Sequence, residues 1–180
     1  MTSSHAEGRS GNIHGMPISF VSKLYDAALL PGFEWMRTTP PLVGDQLVYV
    51  GLRDVDLGER ELIKKLGATA YTMHDIDKHG IGKVMEMALD KLGNRPLHVS
   101  YDIDACDPGI APSTGTTVRG GLNFREAHYV AEEAANTGRL GSFDMVEVNP
   151  TLVVGTDEVG EDTVQMALAL TASALGNTIL

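Results

Sequence analysis

Hydrophobic and polar positions along residues 46–176 alternate between short apolar runs and helical spacings. "QLVYVGL" (46–52) is an apolar run of β-formers and predicts a strand. In "GERELIKKLG" (58–67), Leu62, Ile63 and Leu66 share one helical face and Gly67 supplies the stop. "ATAYTM" (68–73) predicts a second strand. "GKVMEMALDKLG" (82–93) predicts a helix with Val84, Met87, Ala88 and Leu92 inward, closed by Gly93. "PLHVSYDID" (96–104) predicts a third strand. In "NFREAHYVAEEAANTG" (123–138), Asn123 is placed to cap a helix and Glu126 completes a capping-box pair. "LGSFDMVEV" (140–148) predicts a fourth strand, and the Ala-rich "EDTVQMALALTASALG" (161–176) a helix suited to lying on a sheet.

Such a βαβα rhythm implies a parallel sheet with helices on both faces, a three-layer αβα class in one domain over residues 1–180. Ligands in these sheets sit outside the C-terminal ends of the strands. The carboxylate-bearing segments "DID" and "VEVNP" both fall there. The first 45 residues fit less well, being rich in Gly, Pro, Ser and Thr with one helical stretch around "SFVSKLYDAALL".

Composition narrows the options. A net charge of −10 with no Lys/Arg-rich run argues against nucleic acid as a partner. Cys106 is the single cysteine, so no internal disulfide can form and a reducing, cytoplasmic setting is expected. No apolar run approaches a membrane span, and the polar start "MTSSHAEGRSG" lacks a signal-peptide core, so no membrane partner is expected. The carboxylate excess has two readings, solubility or a cationic ligand, and composition alone favours the first.

On an extended strand Asp102 and Asp104 point the same way, with Ile103 opposite. Two like charges on one face repel and are costly to bury, and a hard divalent cation between them removes the problem. Asp107, followed by Pro108 and Gly109, reads instead as turn chemistry, its carboxylate taking nearby backbone N–H groups. Taken alone, the D-x-D pair leaves open both a metal site and a solvated loop.

The longer string "SYDIDACDPGIAPSTGTTVRGGL" (100–122) resembles the C-terminal metal motif of the ureohydrolases. "SGNIHGMPISF" (10–20) is similar to the arginase substrate loop, and "YVGLRDVDLGE" (49–59) to the arginase strand and loop bearing an acidic pair. "IDKHGIGKVMEMAL" and "MVEVNP" fit as well, and the resemblance runs from Ser10 to Gly176. The substrate-loop segments point to arginase rather than to the agmatinase branch.

The resemblance implies an amidine hydrolase that converts L-arginine to L-ornithine and urea. Two Mn²⁺ ions would generate hydroxide near neutral pH, with Asp102 bridging them and Asp104 completing the second. His14 would shuttle a proton to the leaving amine, and Glu147 would pair with the guanidinium. Ser10 and Asn12 would hold the α-carboxylate, Asp56 and Glu59 would address the α-amino group, and Thr116 would close on the substrate. Arg125 and Glu126 resemble an intersubunit pair, which implies a homo-oligomer, a trimer in the family. Each residue also has a plain structural alternative: strand-end or helix-start carboxylates, a loop histidine, a loop threonine, a solvated helix face.

Two further ureohydrolase metal motifs, G-G-D-H and D-A-H-x-D, do not occur in these 180 residues. The expectation is therefore an arginase-like chain lacking the N-terminal part, with doubtful Mn²⁺ occupancy and slow turnover by itself. A non-catalytic protein that associates with intact subunits is the alternative, and an agmatinase-type ureohydrolase the third. "HDIDKH", with His74, Asp75, Asp77 and His79, reads as helix-start chemistry. His5 reads as a terminal histidine, and Cys106, with no base beside it, as a core residue.

Overall fold

The computed structural model describes residues 15–26, 29–152 and 160–177. The chain divides into two compact units, residues 1–49 with 54–70, and residues 50–53 with 71–180.

In the first unit, α1 (Pro17–Val21) opens on a proline, whose missing N–H is no loss in a first turn. The helical stretch expected around 19–30 ends here instead, because Lys23 adopts a left-handed φ of 56° and turns the chain out of the helix. Short 3₁₀ turns follow at Glu34–Arg37 and Gly44–Gln46. The helix α2 (Leu57–Leu66) starts one residue before the expected 58, on Asp56 as its cap, and Gly67 closes it as its sequence predicts, at a φ of 73°.

Strands β1 (Val48–Leu52) and β2 (Thr69–Thr72) form one two-stranded sheet. In the second unit, α3 (Met73–His79) is capped by Thr72 and followed by α4 (Ile81–Leu92). His74 to His79 thus lie on a helix, with His74, Asp77 and His79 exposed. The Asp75 carboxyl is held below the usual range by hydrogen bonds from the Thr72 hydroxyl and N–H.

Strand β3 (Leu97–Asp102) pairs in parallel with β4 (Leu140–Val146), in register from Leu97↔Leu140 to Asp102↔Val146. A parallel pair needs a crossover, and α5 (Phe124–Asn136) lies within it. The helix α6 (Glu161–Ala174) packs on α5 and on β4. Small residues at the helix contact, Ala127 and Ala131 of α5 with Ala167 and Ala174 of α6, are all buried in one cluster with Leu170, Val84, Ile76, Tyr101 and Ile103. The outward positions of β3 and β4 are His98, Ser100, Ser142 and Asp144. Side-chain alternation gathers these polar groups on one face.

Candidate functional site

β3 ends at Asp102, and Ile103–Ala105 turns into a short 3₁₀ segment. Asp104 is therefore not on the strand, and strand alternation does not set its direction. The turn forms because the Asp102 carboxylate accepts the Asp104 N–H at 3.0 Å, while Ile103, 0% exposed, anchors it in the core. Both carboxyls are half-buried. Burial, then the neighbouring Asp104 charge, pushes the Asp102 carboxyl up to about 7. Asp104 is also raised by burial, against the opposing pull of the Arg53 guanidinium. Glu147 raises both.

Glu147 follows β4 directly, one residue beyond the Asp102↔Val146 pairing. Three carboxylates thus stand at or just beyond the C-terminal ends of two parallel strands. Glu147 has a φ of 64°, a left-handed conformation that a non-glycine residue adopts only when its surroundings impose it. The following loop is imposed upon. The Asn149 N–H donates to the Ser113 carbonyl at 3.0 Å, and the Ser113 N–H donates to the buried Thr163 hydroxyl at 2.8 Å. Those bonds bring loop 113–116 beside the strand end, where a Cβ on Gly115 would stand 3.7 Å from Glu147 Oε2. Thr116 is the next residue in this loop and is exposed.

The turn bearing Asp104 is tied to residues 118–122 in three ways. Asp107 accepts N–H donors from Gly109 (2.9 Å), Gly120 (2.8 Å) and Gly121 (3.3 Å), which hold its carboxyl below the usual range. This is the turn role its sequence predicts. Cys106 and Leu122 form an isolated parallel bridge, with Leu122 N–H to Ala105 O and Asp107 N–H to Leu122 O both at 2.9 Å. Gly121 makes the approach possible, since a Cβ there would lie 2.6 Å from the Cys106 carbonyl carbon and oxygen. The third tie is Arg53, at the end of the β1 segment. It donates to Asp104 O (2.6 Å), Val118 O (2.7 and 3.0 Å), and Ala105 O and Cys106 O (both 3.4 Å). Cys106 itself is 1% exposed, and burial pushes its thiol up to about 11, in keeping with a core residue.

The remaining predicted residues have hydrogen bonds or surroundings of their own. Asp56 and Glu59 form a reciprocal capping box on α2: Asp56 Oδ1 accepts from the Glu59 N–H (2.8 Å) and Glu59 Oε2 from the Asp56 N–H (3.1 Å). Glu126 plays the same part for Asn123 at the start of α5. Arg125 lines an open cavity of about 560 Å³ between α5 and α6, with Phe124, His128, Glu132 and Ser173. Ser10, Asn12 and His14, like His5, lie outside the described residues. The sequence did not single out Arg53 or Gly121 as contributors to this site. Each sat inside a quoted motif, but neither carries a side-chain signature for bonding or yielding to backbone.

Asp102 and Asp104 have the chemistry of cation ligands, oxygen donors whose mutual repulsion a cation would relieve. Among the described residues, however, no group of three His, Cys, Asp or Glu side chains is arranged to hold a metal ion. The described donors therefore do not make a two-manganese centre by themselves. No helix among the described residues is long and apolar enough to cross a membrane.

The sequence pattern of the Arginase family matches residues 2–176. An arginase of Neurospora crassa is 50% identical over 172 residues, covering 95% of this chain and 48% of that protein. The solved arginase of Bacillus cereus superposes with a TM-score of 0.83 at 33% identity, over 97% of this chain and 57% of that one. The arginase of Entamoeba histolytica, solved in complex with L-ornithine, gives a TM-score of 0.78 at 30% identity, over 93% of this chain and 54% of that one. The chain spans about half the length of the curated relatives it matches. Its three-layer αβα class with a parallel sheet is theirs, and the string of matched motifs running from end to end leaves one conclusion: the chain belongs to the arginase family.

Proposed function

We propose that the chain serves arginase chemistry, the Mn²⁺-dependent hydrolysis of L-arginine to L-ornithine and urea. The observation that carries this reading is the convergence of Asp102, Asp104 and Glu147 at the ends of two paired parallel strands. In this reading Asp102 and Asp104 are the chain's metal ligands. Glu147, its carboxylate beside the Gly115 loop, takes the substrate guanidinium, for which a planar two-oxygen acceptor is the matching shape. His14 handles the proton at the leaving amine. Ser10 and Asn12 hold the α-carboxylate, Asp56 and Glu59 address the α-amino group, and Thr116 closes on the bound substrate. The working form is a homo-oligomer in the cytoplasm.

The described residues by themselves fall short of the donors a two-ion centre needs, about six oxygen or nitrogen ligands per octahedral ion. That observation favours a second reading for these 180 residues acting alone, an arginase-like protein that works by association with intact subunits. Urea release from the purified chain under saturating Mn²⁺, beside its metal content, separates the two. The expected result is turnover far below that of a complete arginase, with whatever metal-dependent rate exists lost in Asp102→Asn. Turnover matching a complete arginase would overturn the expectation of a weak site. A metal-dependent rate that survives Asp102→Asn would overturn the assignment of the ligand.

A further inference from the structure

We propose that Arg53 is the positioning residue of the acidic site, holding the turn that carries Asp104 against the loop at Val118. The side chain is half-buried, and its five described hydrogen bonds all go to backbone carbonyls, those of Asp104, Ala105, Cys106 and Val118. A guanidinium presents five N–H donors in a rigid planar fork. Here that fork spans two segments that are neighbours in space and distant in sequence, since Val118 is 65 residues from Arg53 and Asp104 is 51. Three of the four carbonyls belong to consecutive residues, Asp104, Ala105 and Cys106, so the fork fixes the orientation of that turn as well as its place. The turn in turn sets where the Asp104 carboxylate stands relative to Asp102, and Val118 closes the loop that begins beside Glu147.

As a claim about a catalytic site this rests on the arginase reading, but as a claim about the loop it does not. Lysine is the informative substitution: it keeps the charge and most of the length but offers a single nitrogen, which cannot serve four carbonyls in two segments. Hydrogen exchange on the whole chain reads the result residue by residue. The amides of Cys106, Asp107 and Leu122 report on the turn and its bridge. Arg53→Lys is expected to lower their protection at least tenfold, the loss of one charge-assisted hydrogen bond or more. The interior amides of β3 and β4 should keep theirs. Arg53→Met should do the same or worse, and if it fails to fold, the lysine variant decides. Unchanged protection in Arg53→Lys, or an even loss across turn and strands alike, would overturn the proposal. A second arm uses Mn²⁺ alone, followed by paramagnetic broadening of NMR signals. In the unmodified chain, substoichiometric Mn²⁺ should broaden Asp102 and Asp104 first, and in Arg53→Lys that selectivity should fall. Absence of selective broadening in the unmodified chain would sink the metal reading of the site while leaving Arg53 to be decided by exchange.

Discussion

Glu147 holds its carboxylate at the strand end in a left-handed backbone conformation, and the strain can be weighed directly. Two variants isolate it. Glu147→Ala removes the carboxylate but keeps a Cβ at a φ of 64°, whereas Glu147→Gly removes both. The left-handed region costs a residue with a Cβ roughly 1–2 kcal/mol, and glycine gives back about 0.5–1 kcal/mol through its freer unfolded chain. The glycine variant should therefore be more stable than the alanine variant by about 0.5–1 kcal/mol, which in a chain of this size is a rise in melting temperature of roughly 1–4 °C. Both variants lose the like charge that bears on Asp102 and Asp104, so electrostatics cancels in the difference. Thermal unfolding followed by circular dichroism at fixed pH and salt is sufficient. An alanine variant as stable as the glycine variant, or more so, would show that no strain is stored at this position. If strain is stored there, stability and the placement of a functional carboxylate pull against each other at one residue, as is common where a site demands a special geometry.

Two other outcomes follow from the same region. At Asp102 and Asp104 the folded chain holds protons that the unfolded chain releases between the usual carboxylate range and about pH 7, because Asp102 is pushed up to about 7 and Asp104 is raised as well. Their contribution to stability is present at the acid side of that window and is lost as pH rises through it, so the metal-free melting temperature should fall from about pH 4 to pH 7. Asp102→Asn should flatten the slope, and a melting temperature that rises steadily over that window would refute the linkage. Gly121→Ala places a Cβ 2.6 Å from backbone atoms of Cys106, which cannot swing aside as a side chain could. It should lower the melting temperature by several degrees and free the Leu122 amide to exchange; a silent substitution would mean the two segments are not pressed together.

Most elements could be placed from residue spacing because each repeats its period often enough to be seen. Val84 and Ala88 on α4, or Ala127, Ala131 and Ala134 on α5, face the core at intervals that only a helix brings into line. Helix starts were legible where the capping chemistry is explicit, as with Asn123 and Glu126. The seven-residue α3 has too few turns to show a period of its own, fewer than two, and the segment before it reads as strand. Alternation also cannot say where a strand stops: Asp104 fits the pattern of β3, yet the Asp102 carboxylate captures its N–H and turns the chain first. The helix expected around 19–30 was lost to a single left-handed residue, Lys23. The chemistry of the site was visible as carboxylates near strand ends. Its support was not, because Arg53 bonds to carbonyls, which every residue owns and none advertises.

The ties around the acidic turn also bear on the order in which the molecule assembles. Helices such as α5 close over four residues at a time, whereas Arg53 reaches Val118 across 65 residues and Thr163 reaches Ser113 across 50. Bringing distant segments together carries a loop-closure entropy that local turns avoid, and folding slows as such contacts come to dominate. The acidic turn should accordingly be among the last parts to lock during folding, after the helices that flank it. Pulse-labelled hydrogen exchange would show the Leu122 amide gaining protection later than those at the centre of α5. A nascent chain would then carry its three strand-end carboxylates well solvated until the end, and meet their mutual repulsion only when the core beneath them is already made.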